Sequence, residues 1–138
     1  MSQLTLSFEA DEWTDTNRLG VEVCTEDFSG RGRGWIDRAS VVDFASNLSN
    51  YPFTPENPVI LAMGFNTLQG DDLIGRIEIG PADRLGNLYV KVEIANYHDR
   101  WQRVRTEFRT NYPDLERFQF RLRRLLAEGE PPAVLNGS

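Results

Sequence analysis

A strand–strand–helix pattern occurs twice in this chain, and it constrains the fold more than any other feature. In each copy an alternating strand is followed by an arginine-rich segment and then by a helical segment. Both helical segments contain Phe-x-x-x-Leu, a spacing that places the two side chains on one helix face. The matching positions are Val21-Glu22-Val23 with Val92-Glu93-Ile94, Phe44 with Phe118, and Leu48 with Leu122. The repeat predicts a sheet braced by two similar helices.

Further alternating segments predict strands around the two copies, starting near Leu4, Val59 and Ile74. Because short turns join successive strands, we expect antiparallel pairing. We therefore predict one α+β domain over residues 1–130, in which a curved antiparallel sheet of about six strands carries two amphipathic helices. Prolines follow the second helix, so we expect residues 131–138 to form a loose C-terminal tail.

Glycines alternate with larger residues in the predicted strand that precedes the first helix. The strand period places all the glycines of Gly30–Gly34 on one face and Arg31, Arg33 and Trp35 on the other. Glycines in a strand indicate a bulge, a bend or close packing of another part of the chain. The segment lacks the later glycine of a dinucleotide fingerprint and the Gly-Lys-Ser/Thr of a P-loop, so it does not predict a phosphate site of either type.

Composition is typical of a soluble globular protein, with 138 residues, 40% hydrophobic and 26% charged. Apolar runs such as 59–63 are far shorter than a membrane span, and the first residues lack the basic and apolar regions of a signal peptide. Cys24 is the only cysteine, which excludes an intrachain disulfide. These features predict a cytoplasmic protein that does not enter a membrane.

The net charge of −6 is concentrated near the N-terminus. Residues 1–27 contain seven acids and one base, which gives −6, and the other 14 acids and 14 bases balance. An acidic edge attracts basic protein surfaces, although a solvated edge without a partner has the same composition. The residues predicted to contact such a partner are Glu9, Asp11, Glu12, Trp13 and Asp15.

Few residues could support catalysis or bind a metal. His98 is the only histidine, and it lies beside Asp99 in a predicted turn, where a surface role is expected. Cys24 lies in a predicted strand and is expected to be an inert thiol. One cysteine and one histidine cannot form a zinc site without carboxylates. We therefore expect neither a metal nor a cofactor, and binding rather than catalysis.

Two alternatives use the arginine-rich strand. In the first, the chain is a small ligand-binding or enzymatic domain with a pocket between sheet and helix. The residues predicted to line that pocket are Arg31, Arg33, Trp35, His98 and Arg105. In the second, Arg31 and Arg33 bind RNA, although nucleic-acid-binding domains are normally basic and this chain has a pI near 4.8.

The layout of the chain resembles that of small bacterial immunity proteins of the WapI type, which neutralise a toxin made by the same cell. The start of a long strand at 17–23 resembles the corresponding strand of that family. The helical segments at Phe44-Ala45-Ser46-Asn47-Leu48 and Leu115-Glu116-Arg117-Phe118 resemble its two helices. The resemblance concerns architecture and transfers no binding residue. It implies a non-catalytic bacterial protein whose partner is another protein. Together with the acidic N-terminal region, it leads us to expect a basic toxin domain as that partner. The oligomeric state is not predicted.

Overall fold

The computed structural model describes residues 1–10, 16–50, 52–67, 70–96, 98–99 and 101–138. The elements in chain order are β1 (Ser2–Ala10), β2 (Thr16–Cys24), β3 (Ser29–Asp37), α1 (Arg38–Asn47), β4 (Val59–Thr67), β5 (Gly70–Pro81), β6 (Asn87–Ala95), β7 (Arg103–Asn111), α2 (Tyr112–Glu128) and β8 (Ala133–Gly137).

The strands form two antiparallel four-stranded sheets rather than one. The first sheet has the order β3-β2-β1-β8 and the second has the order β4-β5-β6-β7. The α+β class and the two helices were predicted correctly, whereas the single sheet of about six strands was wrong. Alternation identifies a strand and its buried face, but it does not specify which strands pair. One hydrophobic cluster contains residues from both sheets and both helices.

The two halves of the chain have the same topology and exchange one strand. Each half is a three-stranded meander followed by a helix and one more strand: β1-β2-β3-α1-β4 and β5-β6-β7-α2-β8. The last strand of each half pairs with the first strand of the other half, β4 with β5 and β8 with β1. This arrangement extends the predicted repeat, and it makes each sheet depend on both halves.

The last residues form a strand, so the predicted loose tail at residues 131–138 was wrong. Ala133 and Leu135 are fully buried, and β8 pairs with β1 from Ser2↔Gly137 onward. The two sheets meet here, because two backbone hydrogen bonds of 3.0 and 2.9 Å join Arg109 and Ser138. Pro131 and Pro132 lie between the end of α2 and β8, and the alternation of buried residues resumes directly after them.

The glycines of β3 allow this strand to lie directly on the second sheet. A Cβ at Gly30 would lie 2.7 Å from Val104 Cγ2, one at Gly32 2.6 Å from Ile94 Cγ2, and one at Gly34 2.9 Å from Met63 Sδ. These side chains belong to β7, β6 and β4, so β3 crosses the second sheet. Of the interpretations that the sequence left open for the glycines, close packing is the one observed.

The helices pack against the sheets and against each other. Phe44 is 2% exposed and Phe118 is 0% exposed, as the repeat predicts. The two helices were expected on one common sheet; instead α1 contacts β3 and β4, and α2 contacts β8, β1 and β7, so each helix touches both sheets. Gln119 joins the helices by donating hydrogen bonds to the Ala45 carbonyl at 2.7 Å and to Ser49 Oγ at 2.5 Å.

The ends of α2 match the capping residues of the sequence. The Asn111 side chain accepts a hydrogen bond of 2.9 Å from the Asp114 backbone, and its amide donates to the Asp114 carboxylate at 3.1 Å. Gly129 ends the helix with a φ of 81°, the left-handed region that glycine adopts readily. Before α1, Asp37 makes no side-chain cap bond and instead accepts from the Ser40 hydroxyl at 2.6 Å.

Candidate functional site

The outward side of β1, β2 and β3 presents a compact polar surface, which we name the outer face. Alternation places the apolar side chains of β1 and β2 in the core and leaves the intervening residues on this side. Strand register arranges the outer face in three cross-strand rows: Thr5, Glu22 and Arg31; Ser7, Gly20 and Arg33; and Glu9, Arg18 and Trp35. The face contains three arginines and two glutamates, so its net charge is +1 although the whole chain is −6.

A shallow groove with a volume of about 550 Å³ runs over the outer face. Gly20 forms its floor, because a Cβ at this position would lie only 2.3 Å from Ser7 Oγ. Arg31 and Arg33 line one side, on the outermost strand of the sheet. A side chain at position 20 would fill the centre of the groove. The glycine therefore leaves the groove open beside the side chains of Arg31 and Arg33.

Trp35 and Arg18 form a stacked pair at one end of the outer face. The Arg18 guanidinium carbon lies 5.0 Å from the centroid of the Trp35 ring, within the range of a cation–π interaction. Trp35 remains 50% exposed, so part of its ring is accessible on the outer face. The stack places an aromatic ring and a guanidinium group side by side on the outer face.

The arginines of the two sheets differ in their ion pairing. On the outward side of the second sheet, Arg76 pairs with Glu78 at 2.7 Å and Arg103 pairs with Glu93 at 2.8 Å. Among the described residues no carboxylate lies within ion-pair distance of Arg31 or Arg33, and both side chains are exposed. An external carboxylate can therefore bind these guanidinium groups without displacing a carboxylate of the described residues.

A hydrogen bond between Tyr89 and Glu78 joins two neighbouring strands of the second sheet. The Tyr89 hydroxyl donates to Glu78 at 2.6 Å, and this bond holds the pKa of the Glu78 carboxyl below its usual range. Burial, together with the hydrogen bond to Glu78, raises the pKa of Tyr89 to about 12. Gly80 makes room for the ring, because a Cβ there would lie 2.5 Å from the Tyr89 hydroxyl oxygen. Both groups stay in their ordinary charge states at neutral pH.

The residues predicted to bind a protein partner are only partly described by the structure. Glu9 is exposed and lies on the outer face beside Arg18. Asp11, Glu12, Trp13 and Asp15 lie outside the described residues.

The residues predicted to bind a ligand are brought together only in part. Arg31, Arg33 and His98 line a second hollow of about 330 Å³, between β3 and the end of the β6–β7 hairpin. Trp35 points to the outer face, away from this hollow's lining. Arg105 lies on the outward side of the second sheet, 3.2 Å from Glu93, so its inclusion in the predicted pocket was wrong. The β7 alternation could have shown this, since Arg105 has the parity opposite to that of the buried Phe108.

His98 occupies the turn that the sequence predicts. It is exposed, and its backbone N–H donates to the Asn96 side chain at 2.8 Å, as the Asp99 N–H does at 3.1 Å. Within the described part of the chain, no group of three or more His, Cys, Asp or Glu residues is placed to hold a metal ion. Cys24 is exposed and forms no disulfide.

Sequence reasoning missed Arg18 and the small residues that shape the groove. The only signal in the sequence is the alternation of β2, in which Arg18 and Gly20 occupy the positions between the apolar, inward-facing residues. Parity places them on the outward side but does not place β2 between β1 and β3. Once the register is known, Arg18 stands beside Trp35 and Gly20 stands beside Arg33.

Comparison of the chain with protein-family models, with curated proteins and with solved structures finds no match. None of the helices in the described residues is both long enough and apolar enough to cross a membrane.

Proposed function

We propose that this chain is a protein-binding domain, that its contact surface is the outer face, and that its partner presents carboxylates to that face. The observation that carries the proposal is the exposed pair Arg31 and Arg33, without an ion-paired carboxylate among the described residues, on the same face as the half-exposed Trp35. Tryptophan and arginine are the residues most enriched at the energetic centres of protein interfaces. Arginine also binds carboxylates in a bidentate geometry.

The mixed charge of the outer face favours a protein over a nucleic acid. Glu9 and Glu22 stand beside the arginines in the strand register, and their carboxylates would repel a phosphate backbone. A protein partner can match both signs, with carboxylates opposite Arg31 and Arg33 and a basic residue opposite the glutamates. RNA binding is the competing outcome of the test below.

The immunity-protein resemblance gives this proposal its most specific form, in which the partner is a toxin domain. The basic partner expected from the sequence would contact the acidic segment 11–15, and the carboxylates proposed here would contact Arg31 and Arg33. A single partner that carries one basic patch and one acidic patch would make both contacts. A partner that is a toxin encoded beside this chain would support the specific form.

The partner can be identified by crosslinking from the outer face in the native cell. A photoreactive benzoylphenylalanine in place of Trp35 is expected to give one specific protein adduct. The matched control places the same group at Phe120, which is 72% exposed on α2. An adduct with RNA at position 35, or the same adducts at both positions, would contradict the proposal.

The contact can then be tested with the purified partner. The double substitution Arg31→Glu with Arg33→Glu should weaken binding by about a hundredfold, because like charges across an interface cost several kcal/mol. The control, Arg84→Glu with Arg123→Glu, changes the net charge equally at two exposed arginines away from the outer face. Equal affinities for the two double variants would show that the outer face does not bind the partner.

A further inference from the structure

β3 is the outermost strand of the first sheet, and one of its two edges faces a hollow. Among the described residues β3 forms a ladder with β2 alone, over all nine of its residues. Its other edge carries a row of backbone donors and acceptors. Natural edge strands are usually short, or carry charged side chains, proline or a bulge that prevents pairing with another chain. β3 has neither proline nor a bulge, and its charged side chains are Arg31, Arg33 and Asp37, so a strand that pairs with it must match these charges.

The hairpin geometry shows which residues direct their backbone groups to the free edge. The Thr25 N–H donates to the Phe28 carbonyl at 2.7 Å, which makes these residues a hydrogen-bonded pair. Hydrogen-bonded and non-hydrogen-bonded pairs alternate along an antiparallel ladder. Gly30 and Gly32 therefore bond to β2, whereas the N–H and C=O groups of Arg31 and Arg33 point away from it. The close Arg18–Trp35 stack agrees with this, since non-hydrogen-bonded pairs have the shorter side-chain separation.

The hollow beside this edge has a volume of about 330 Å³ and is lined by Gly30–Arg33 on one side. The end of the β6–β7 hairpin, including Asn96, His98 and Gln102, forms the other side. The hollow is therefore bounded by a strand edge on one side and by a wall of mixed polar and apolar residues on the other. This is the shape that an extended segment of chain requires.

We propose that the free edge of β3 pairs with an extended strand of the partner, whose carboxylates contact Arg31 and Arg33. This inference rests on the proposed function and adds the mode of binding. In an added strand, every second side chain points to the outer face, so acidic residues two positions apart would stand beside the two arginines. Main-chain hydrogen bonds to Arg31 and Arg33 supply affinity, and their guanidinium groups select the acidic sequence.

Amide hydrogen exchange tests the pairing with a defined probe. The probe is an acetylated, amidated peptide of alternating glutamate and threonine, and the measurement is the exchange rate of each β3 amide by NMR. Saturating peptide should slow exchange at Arg31 and Arg33 by about tenfold or more, because their N–H groups become hydrogen-bonded. Gly32, already bonded to β2, should change little. A lysine–threonine peptide, and a glutamate–threonine peptide N-methylated at alternate residues, should both fail to protect these amides.

A matched pair of variants separates main-chain pairing from side-chain charge with the natural partner. Arg33→Ala and Arg33→Pro both lose the guanidinium, but only the proline variant also loses the edge N–H. Arg33→Pro should bind about three- to tenfold more weakly than Arg33→Ala, the effect of one hydrogen bond. Urea unfolding checks that both variants fold; if the proline variant does not, the exchange measurement on the unmodified chain decides.

Different results would contradict strand addition at β3 and partner binding through the outer face. If the arginine charges matter but the proline and alanine variants bind equally, and the edge amides are not protected, the partner binds the outer face without adding a strand. No binding of the glutamate–threonine peptide at millimolar concentration would also overturn strand addition. If charge reversal at Arg31 and Arg33 has no effect on partner binding, the proposed function itself is wrong.

Discussion

At the scale of single residues, Gly32 determines how closely the two sheets approach. A Cβ at this position would lie 2.6 Å from Ile94 Cγ2, a branched side chain that is itself 4% exposed and cannot move far. Gly32→Ala should therefore cost about 1–3 kcal/mol of unfolding free energy, as overpacking does in cores. Urea denaturation measures this. Gly34→Ala is the control, and it should cost less because its nearest neighbour is the flexible Met63.

Removing the clashing atom should reduce the cost of the new methyl group. The double variant Gly32→Ala with Ile94→Ala should lose less unfolding free energy than the two single variants lose together, because the second substitution vacates the space that the first fills. Simple additivity would show that β3 does not pack on Ile94 as described.

Tyr89 makes stability depend on pH through its bond to Glu78. Tyr89→Phe removes the hydrogen bond that lowers the pKa of Glu78, and should cost about 1–2 kcal/mol at neutral pH. Because the folded pKa of Glu78 is depressed, its contribution is present above pH 4.5 and is lost as pH falls through the folded value. The raised pKa of Tyr89 gives a contribution that is present below pH 10 and is lost as pH rises through about 12.

This pH dependence is tested by measuring the unfolding free energies of the unmodified chain and of Tyr89→Phe across the same pH range. The difference between the unmodified chain and Tyr89→Phe should be largest between these limits and should shrink at both acidic and alkaline pH. A difference that is constant with pH would mean that the charged state of Glu78 does not contribute to the interaction.

His98 illustrates a residue that the fold places at the surface. It is exposed in a turn that Asn96 closes by accepting two backbone N–H groups. His98→Ala should leave the unfolding free energy within about 0.5 kcal/mol of its original value and partner affinity nearly unchanged. A loss of activity above about a hundredfold, the low end of what a general base contributes, would instead identify a catalytic histidine.

At the scale of elements, the two helices should contribute comparably to stability. Phe44 and Phe118 are both buried and occupy equivalent positions in the repeat. Phe44→Ala and Phe118→Ala should each cost about 3–5 kcal/mol, since a large cavity forms in both cases. Denaturant unfolding of the two variants measures this. If one substitution cost less than about 1 kcal/mol, the helices would not be equivalent in the core.

The elements themselves were largely predictable, because each depends on a local signal. Alternation predicts the strands, the glycine spacing in β3 allows a close approach, and Asn111 and Gly129 are residue types that favour the two ends of a helix. β8 was missed because prolines precede it and because its burial depends on pairing with β1, which is distant in the sequence: Thr5 pairs with Val134, 129 residues later. Pairing over such a separation leaves no local signal in the sequence.

At the scale of the whole molecule, the exchanged strands explain why the outer face could not be located from the sequence. The outer face depends on β1, β2 and β3 lying side by side, and β8 completes the sheet from the other end of the chain. Sequence parity placed Arg31, Arg33 and Trp35 on one face correctly. It could not place Glu9 and Arg18 beside them, because register is a property of the assembled sheet.

The most direct test of binding through the outer face is the partner affinity of Trp35→Ala compared with that of Phe120→Ala. Both side chains are at least half exposed, so neither substitution should disturb the core. Trp35→Ala should weaken binding by about 30-fold or more, the effect of removing an interface hot spot, whereas Phe120→Ala should change it by less than about twofold. Unchanged affinity for Trp35→Ala, or an equal loss for Phe120→Ala, would contradict binding through the outer face.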